Sequence, residues 1–186
     1  SSIVMRLPFA DGSYIQQKFV LPKGSYMVQN ELSFVGMDSF IPRKVHNFDM
    51  RWTAVIPRLE KGYKNEKQYS KLDYYFMGDK KPEEIAKGRN GEEEVNSRIK
   101  WYSFHQQFFS AILTAENEFA AADFDVKYYD EKDPSCNLMA CTAKTKIDIA
   151  GGESNIVVPF TYYFGPNDYT TLKSYGLKYE KTIPLG

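Results

Sequence analysis

Apolar side chains recur at every second position through much of this 186-residue chain. That is the mark of strands buried on one face only. Tyr26–Val35 sets Tyr26, Val28, Leu32 and Phe34 against Met27, Gln29, Glu31 and Ser33, and Phe48–Ile56 sets Phe48, Met50, Trp52, Ala54 and Ile56 against Asp49, Arg51 and Thr53. Ile3–Phe9 and Tyr14–Leu21 flank Asp11-Gly12-Ser13, an Asp-Gly hairpin signal. Leu72–Met77, Val95–Trp101, Phe124–Tyr129, Asn137–Ile149 and Asn155–Phe164 read as further strands. Pro159 places the last of these at an edge or a bulge, because proline cannot donate to a ladder. Pro57–Lys71 is polar and reads as a loop with a short helix, and Glu83-Glu84 and Glu92-Glu93-Glu94 read as solvated loop charges. After Gly165-Pro166 the period lengthens: Asn167 is the expected N-cap, Tyr169, Leu172 and Tyr175 keep helical spacing, and Gly176 stops the helix. About ten strands and one short helix predict a mainly β, antiparallel sandwich in one domain, residues 1–186.

One run resists this reading. In Trp101–Ala115, Trp101, Phe104, His105, Phe108, Phe109 and Ile112 match the stripe of an amphipathic helix. Phe109, Ala111 and Leu113 against Phe108, Ser110 and Thr114 match a strand equally well. Spacing alone leaves both open.

Composition narrows function more by exclusion than by indication. The formal net charge is +0 and the pI about 6.7, without the basic excess of a nucleic-acid binder. The 14 Tyr and 13 Phe supply rings suited to half-buried strand faces. His46 and His105 have no Cys, Asp or Glu at metal-site spacing, so no metal or cofactor is expected. No phosphate loop, nucleophile elbow or CxxC pair occurs, and nothing demands an enzyme. Cys136 and Cys141 lie on a strand-like run that would hold them roughly 16 Å apart, so two free thiols are expected. No apolar run approaches the ~20 residues of a membrane span. A start at Ser1-Ser2 running straight into a strand predicts a piece cut from a longer protein.

The order of the motifs carries a resemblance. Val95-Asn-Ser-Arg-Ile-Lys-Trp101 leads into His105-Gln-Gln-Phe-Phe-Ser-Ala-Ile-Leu113, and a later strand runs into Tyr163-Phe-Gly-Pro166, Tyr169, Leu172 and Tyr175-Gly176. In this order the chain resembles the large periplasmic domain of the YidC family of bacterial membrane protein insertases, in a Bacteroidetes-like form. The likeness covers nearly all of the chain and starts inside the domain, so the N-terminal strands of the family's domain and the first membrane helix would be missing.

The resemblance implies a β-supersandwich related to galactose mutarotases, with a short helix near the C-terminus. It splits the ambiguous run: Trp101 closes a strand, Phe104–Gln107 form a helical turn and Phe108–Thr114 form a strand, with Trp101, Gln107, Phe108 and Phe109 in the core. It also implies a non-catalytic domain on the periplasmic face of the inner membrane, in a parent that inserts and folds membrane proteins with or without the Sec translocon. Its partners would be the membrane-embedded part of the same protein, Sec components and nascent membrane proteins. Phe164, Pro166, Asn167, Tyr169, Leu172 and Tyr175 would face that membrane side.

Two further expectations accompany it. Sheet edges left open by missing strands would pair with a second copy of the chain. The alternative function is a carbohydrate-binding or mutarotase-like sandwich, which needs His105 exposed in a cleft beside a carboxylate such as Asp49 or Glu118.

Overall fold

A computed structural model describes residues 1–184. Twelve strands form two antiparallel sheets. The larger has the order β1 (Ser2–Pro8), β2 (Tyr14–Val20), β3 (Met27–Val35), β12 (Asn155–Pro166), β9 (Phe109–Phe119), β8 (Ile99–His105), β5 (Lys71–Tyr75) and β6 (Glu83–Ile85). The smaller has the order β4 (Asn47–Pro57), β11 (Asn137–Asp148), β10 (Ala121–Tyr128) and β7 (Gly91–Val95). Helix α1 (Tyr63–Tyr69) joins β4 to β5, and α2 (Tyr169–Ser174) follows β12.

The alternation read from the sequence becomes the space between the sheets. Tyr102 and Phe104 of β8, Leu113 of β9 and Phe160 of β12 meet Phe124 and Val126 of β10 and Met139 and Cys141 of β11, all buried. Trp52, on β4, is the central ring of this layer: its centroid lies 4.7 Å from Phe104, 5.5 Å from Tyr162 and 5.9 Å from Tyr102.

The other face of the large sheet is also covered. The chain after β12 folds back across it, so Trp101, Ile112 and Tyr163 pack under Leu172 and Tyr179. The Trp101 indole is fully buried, stacks on Tyr75 at 5.5 Å and donates from Nε1 to the Leu177 carbonyl at 2.8 Å. Alternation along β8 thus feeds two layers: even-numbered rings point into the sandwich, while Trp101, Ser103 and His105 point under the C-terminal tail.

Several expectations are corrected here. Trp101 does not close its strand, which runs on to His105. The residues between the strands are not a helical turn but a tight hairpin loop, with Gln106 N–H donating to the Phe109 carbonyl at 2.8 Å. Pro159 lies in an interior strand, between β3 and β9. It sits opposite Glu31 of β3, one residue before pairing with β9 begins at Phe160, so no ladder bond is lost. The glutamates at 83–84 and 92–94 belong to strands β6 and β7, at the outer edges of the two sheets.

Candidate functional site

The strand register brings four chain segments to one end of the sandwich. The β8–β9 loop and the exit of β12 meet where Pro166 pairs with Phe109 and Asn167 N–H donates to the Phe108 carbonyl at 2.7 Å. The β2–β3 loop joins them, with Phe164 N–H donating to Tyr26 at 3.0 Å. The end of β4 is close as well, its Pro57 carbonyl 3.4 Å from Gln106 Nε2.

Asn167 is the hub of this end rather than a helix cap. Its Nδ2 donates to the Gln106 carbonyl at 2.7 Å, which turns Oδ1 toward the Ser110 hydroxyl at 2.6 Å. Ser110 donates that bond, so it accepts from His105 Nδ1, 3.0 Å away. His105 Nε2 then faces Asn167 Nδ2 at 3.4 Å as an acceptor. Only the neutral Nδ1–H tautomer satisfies every contact. Burial lowers the His105 pKa to about 3, with the nearby charges of Lys71 and Lys87 acting in the same direction. The cap of α2 is instead Asp168, whose carboxylate accepts from Thr171 N–H at 2.8 Å.

The buried polar strip continues across the sheet. Lys71, opposite His105 on β5, lies 3.3 Å from Asp73 and 2.5 Å from Glu84. Burial raises the Asp73 pKa to about 7 against the pull of Lys71. Thr114 and Tyr179 share a hydroxyl–hydroxyl bond at 2.5 Å beside Trp101.

The residues singled out from sequence divide into anchors and exposed groups. Trp101 is core, as expected, but Phe108 and Phe109 are about half exposed and are not. Both sit at the tip of the hairpin, past the last residues that the small sheet covers. Gln107 is half-buried. Leu172 is fully buried and pins α2 to the sheet, so it is not available to a partner. Phe164 and Tyr169 are exposed, whereas Pro166, Asn167 and Tyr175 are half-buried.

Gly165 has a steric reason: a Cβ there would lie 2.8 Å from the Tyr163 ring and 2.9 Å from Tyr26. The Tyr163 ring folds back at that point, and its hydroxyl donates to the Pro166 carbonyl at 2.6 Å. Sequence reasoning missed the joint role of His105, Ser110 and Asn167. The only available signal was a His and a Ser five residues apart across a two-stranded turn.

His105 is buried, so the exposed cleft required by the sugar-enzyme alternative does not form around it. Asp49 faces Lys144 and Lys146 on the outer side of the small sheet, away from His105. Among the described residues no cluster of His, Cys, Asp and Glu could hold a metal ion. Cys136 and Cys141 are free, the first exposed and the second buried. No helix among the described residues is long and apolar enough to cross a membrane.

The family model of the YidC periplasmic domain matches residues 1–186. The chain belongs to the YidC periplasmic domain family. It is 30% identical over 194 residues to the membrane protein insertase YidC of Parabacteroides distasonis, covering 100% of this chain and 30% of that protein. Against the YidC insertase of Azobacteroides pseudotrichonymphae it is 30% identical over 192 residues, with 98% of this chain and 30% of that protein covered. The YidC insertase of Porphyromonas gingivalis is 26% identical over 187 residues, with coverage of 100% and 29%. The chain thus spans about three tenths of the length of these relatives. Most of each of these YidC proteins lies outside the matched part.

Proposed function

We propose that this chain is a non-catalytic docking and orienting domain on the periplasmic face of the inner membrane, within a membrane protein insertase of the YidC type. The docking end is the one built from the β8–β9 loop, the exit of β12 and α2. The observation that carries this reading is a contrast at that end. Its backbone is fixed by the Asn167 hub, yet Phe164 and Tyr169 stay exposed beside it. A rigid end that leaves apolar rings in solvent is built to meet something. Its first partner is the membrane-embedded part of the same protein; Sec translocon components and nascent membrane proteins follow. Residues 1–186 act as one domain in this role.

A photo-cross-linking residue at Tyr169 of the full-length parent tests the reading. Adducts to membrane-embedded segments of the same polypeptide are expected. Efficient incorporation with no adduct to those segments, to Sec components or to nascent chains contradicts it.

Self-association belongs to the same proposal. Among the described residues strand β1 pairs with β2 alone and leaves Ile3, Val4, Met5 and Leu7 exposed. An unpaired apolar edge of this kind adds a strand from a second copy. Sedimentation equilibrium should show dimer for residues 1–186 and monomer for Val4→Lys. A monomer at every concentration counts against it.

A further inference from the structure

Beyond the rings already described, the docking end exposes more apolar surface than the fold needs. Phe108 is 52% exposed, Phe109 51%, Phe164 49% and Leu59 58%. Phe109 and Phe164 sit on one face of neighbouring strands, two residues out of register, because Phe164 pairs with Ala111 and Pro166 with Phe109. Phe108 stands at the tip of the loop itself. Phe164 packs one face on Tyr162 and Trp52 at 5.7 and 6.1 Å, and Phe108 borders a small cavity with Tyr69 and Gln107. The half of each ring left in solvent is apolar surface that suits a soft, apolar phase.

The charges beside them include an excess of bases. Along the β2–β3 loop, the approach to α1, α1 itself and α2, the bases Lys23, Arg58, Lys61, Lys64, Lys67 and Lys173 reach solvent. Against them stand Glu60 and Asp168, the latter already engaged in capping α2. Glu66 is buried, accepting from the N–H groups of Leu59 and Glu60 at 2.9 and 3.2 Å. The whole chain is neutral, so this excess is local. The acidic loop Asp130–Asp133 lies at the same end beside α1, where the Tyr63 hydroxyl donates to the Tyr129 carbonyl and Arg58 Nη1 donates to the Glu131 carbonyl at 3.0 Å, so it offsets part of that excess. An aromatic tip flanked by exposed lysines has the composition of a membrane-surface anchor.

We propose that this end docks directly on an anionic phospholipid bilayer. Phe108, Phe109 and Phe164 enter the boundary between headgroups and acyl chains, and Lys23, Lys61, Lys64 and Lys173 meet the lipid phosphates. The inference rests on the docking reading above for which end faces the membrane, but it names the lipid itself as a partner.

Vesicle co-sedimentation of residues 1–186 tests it, using phosphatidylcholine vesicles with and without one quarter phosphatidylglycerol. Binding is expected to the anionic vesicles, to weaken with salt and to be at least tenfold weaker on phosphatidylcholine alone. Phe108→Ser with Phe109→Ser should lower partitioning about tenfold or more. Lys61→Glu with Lys64→Glu should lower it by about tenfold as well. Phe40→Ser is the control: Phe40 is 50% exposed but lies in the β3–β4 loop at the opposite end, and partitioning should not change. Circular dichroism checks that each variant is folded.

No binding to anionic vesicles, or equal binding by the Phe108/Phe109 variant and the parent, overturns the proposal. So does a Phe40→Ser effect as large as that of the hairpin variant. The two readings fail separately: cross-links from Tyr169 without vesicle binding leave protein docking standing and remove the lipid, whereas vesicle binding without cross-links does the reverse.

Discussion

The two faces of the large sheet are both buried, but they are built from different chemistry. The inner face, against the small sheet, is apolar almost throughout: Tyr102, Phe104, Leu113 and Phe160 meet Phe124, Met139 and Ala143. The outer face, under the C-terminal tail, mixes rings with ionisable and hydroxyl groups. There Trp101, Ile112 and Tyr163 lie beside Lys71, Asp73, Ser103, His105, Ser110 and Thr114, every one of them buried.

The inner layer is secured mainly by apolar area, which is tolerant of exact geometry. The outer layer depends also on polar contacts such as those of His105, Ser110 and Asn167, which tolerate little displacement. The second kind of layer adjoins the docking end. Precision of that end follows from the polar layer, and so does its vulnerability.

The sharpest way to break the outer layer is Trp101→Ala. It removes the stack on Tyr75 and the bond to Leu177, and a loss of about 3–5 kcal/mol is expected by urea unfolding. The tail should come loose in that variant while the inner layer stays packed.

Asn167→Ala comes next. It strands the Ser110 hydroxyl and the Gln106 carbonyl in a buried setting, for a loss of about 2 kcal/mol. Asn167→Asp should be no better, since a carboxylate cannot donate to Gln106.

A third test uses pH, because two buried groups of the outer layer pull in opposite directions. His105 has its folded pKa lowered to about 3, so its contribution is present above the unfolded value and is lost as pH falls toward 3. Asp73 has its folded pKa raised to about 7, so its contribution is present at low pH and is lost as pH rises from about 4 toward 7. Between about pH 4 and 6.5 the two slopes offset each other, each at up to about 1.4 kcal/mol per pH unit. Urea midpoints at pH 4.5 and 6.5 should therefore be close for the parent. Asp73→Asn should be more stable at 6.5 than at 4.5, relative to the parent, and His105→Gln should show the reverse. Parallel shifts in both variants would refute the assignment.

The smallest effect is expected at the tip. Phe108→Ser should change stability by no more than about 0.5 kcal/mol, because the ring is half exposed. A loss above about 2 kcal/mol would return Phe108 to the core where the sequence had suggested it.

What could be read from the sequence follows the same division. Strict alternation in Tyr26–Val35 and Phe48–Ile56 announced strands and an inner face, since a period of two has few other meanings. The outer layer was illegible because its polar members look like solvent-facing residues until the tail is placed over them. His105 and Ser110 carry no local mark of burial, and Asn167 before a helix imitates an N-cap. Strands β6 and β7 were hidden by their glutamates, charges that suit the outer strands of sheets. Glu93 shows the compromise: it turns inward to accept from the Tyr74 hydroxyl while Glu92 and Glu94 point outward. The Trp101–Ala115 run divided as the strand reading required, but its Phe108 and Phe109 serve the surface.

If the polar layer makes the tail part of the fold rather than a loose strap, native-state amide exchange is the direct test. Peptides covering Ile99–Ala115 and Asn155–Thr182 should exchange as slowly as β10 and β11, with the Asn167 and Leu172 amides opening only on global unfolding. Exchange of Asn167–Thr182 within seconds, while β10 and β11 stay protected, would show that the tail does not seal the outer face and would contradict the account.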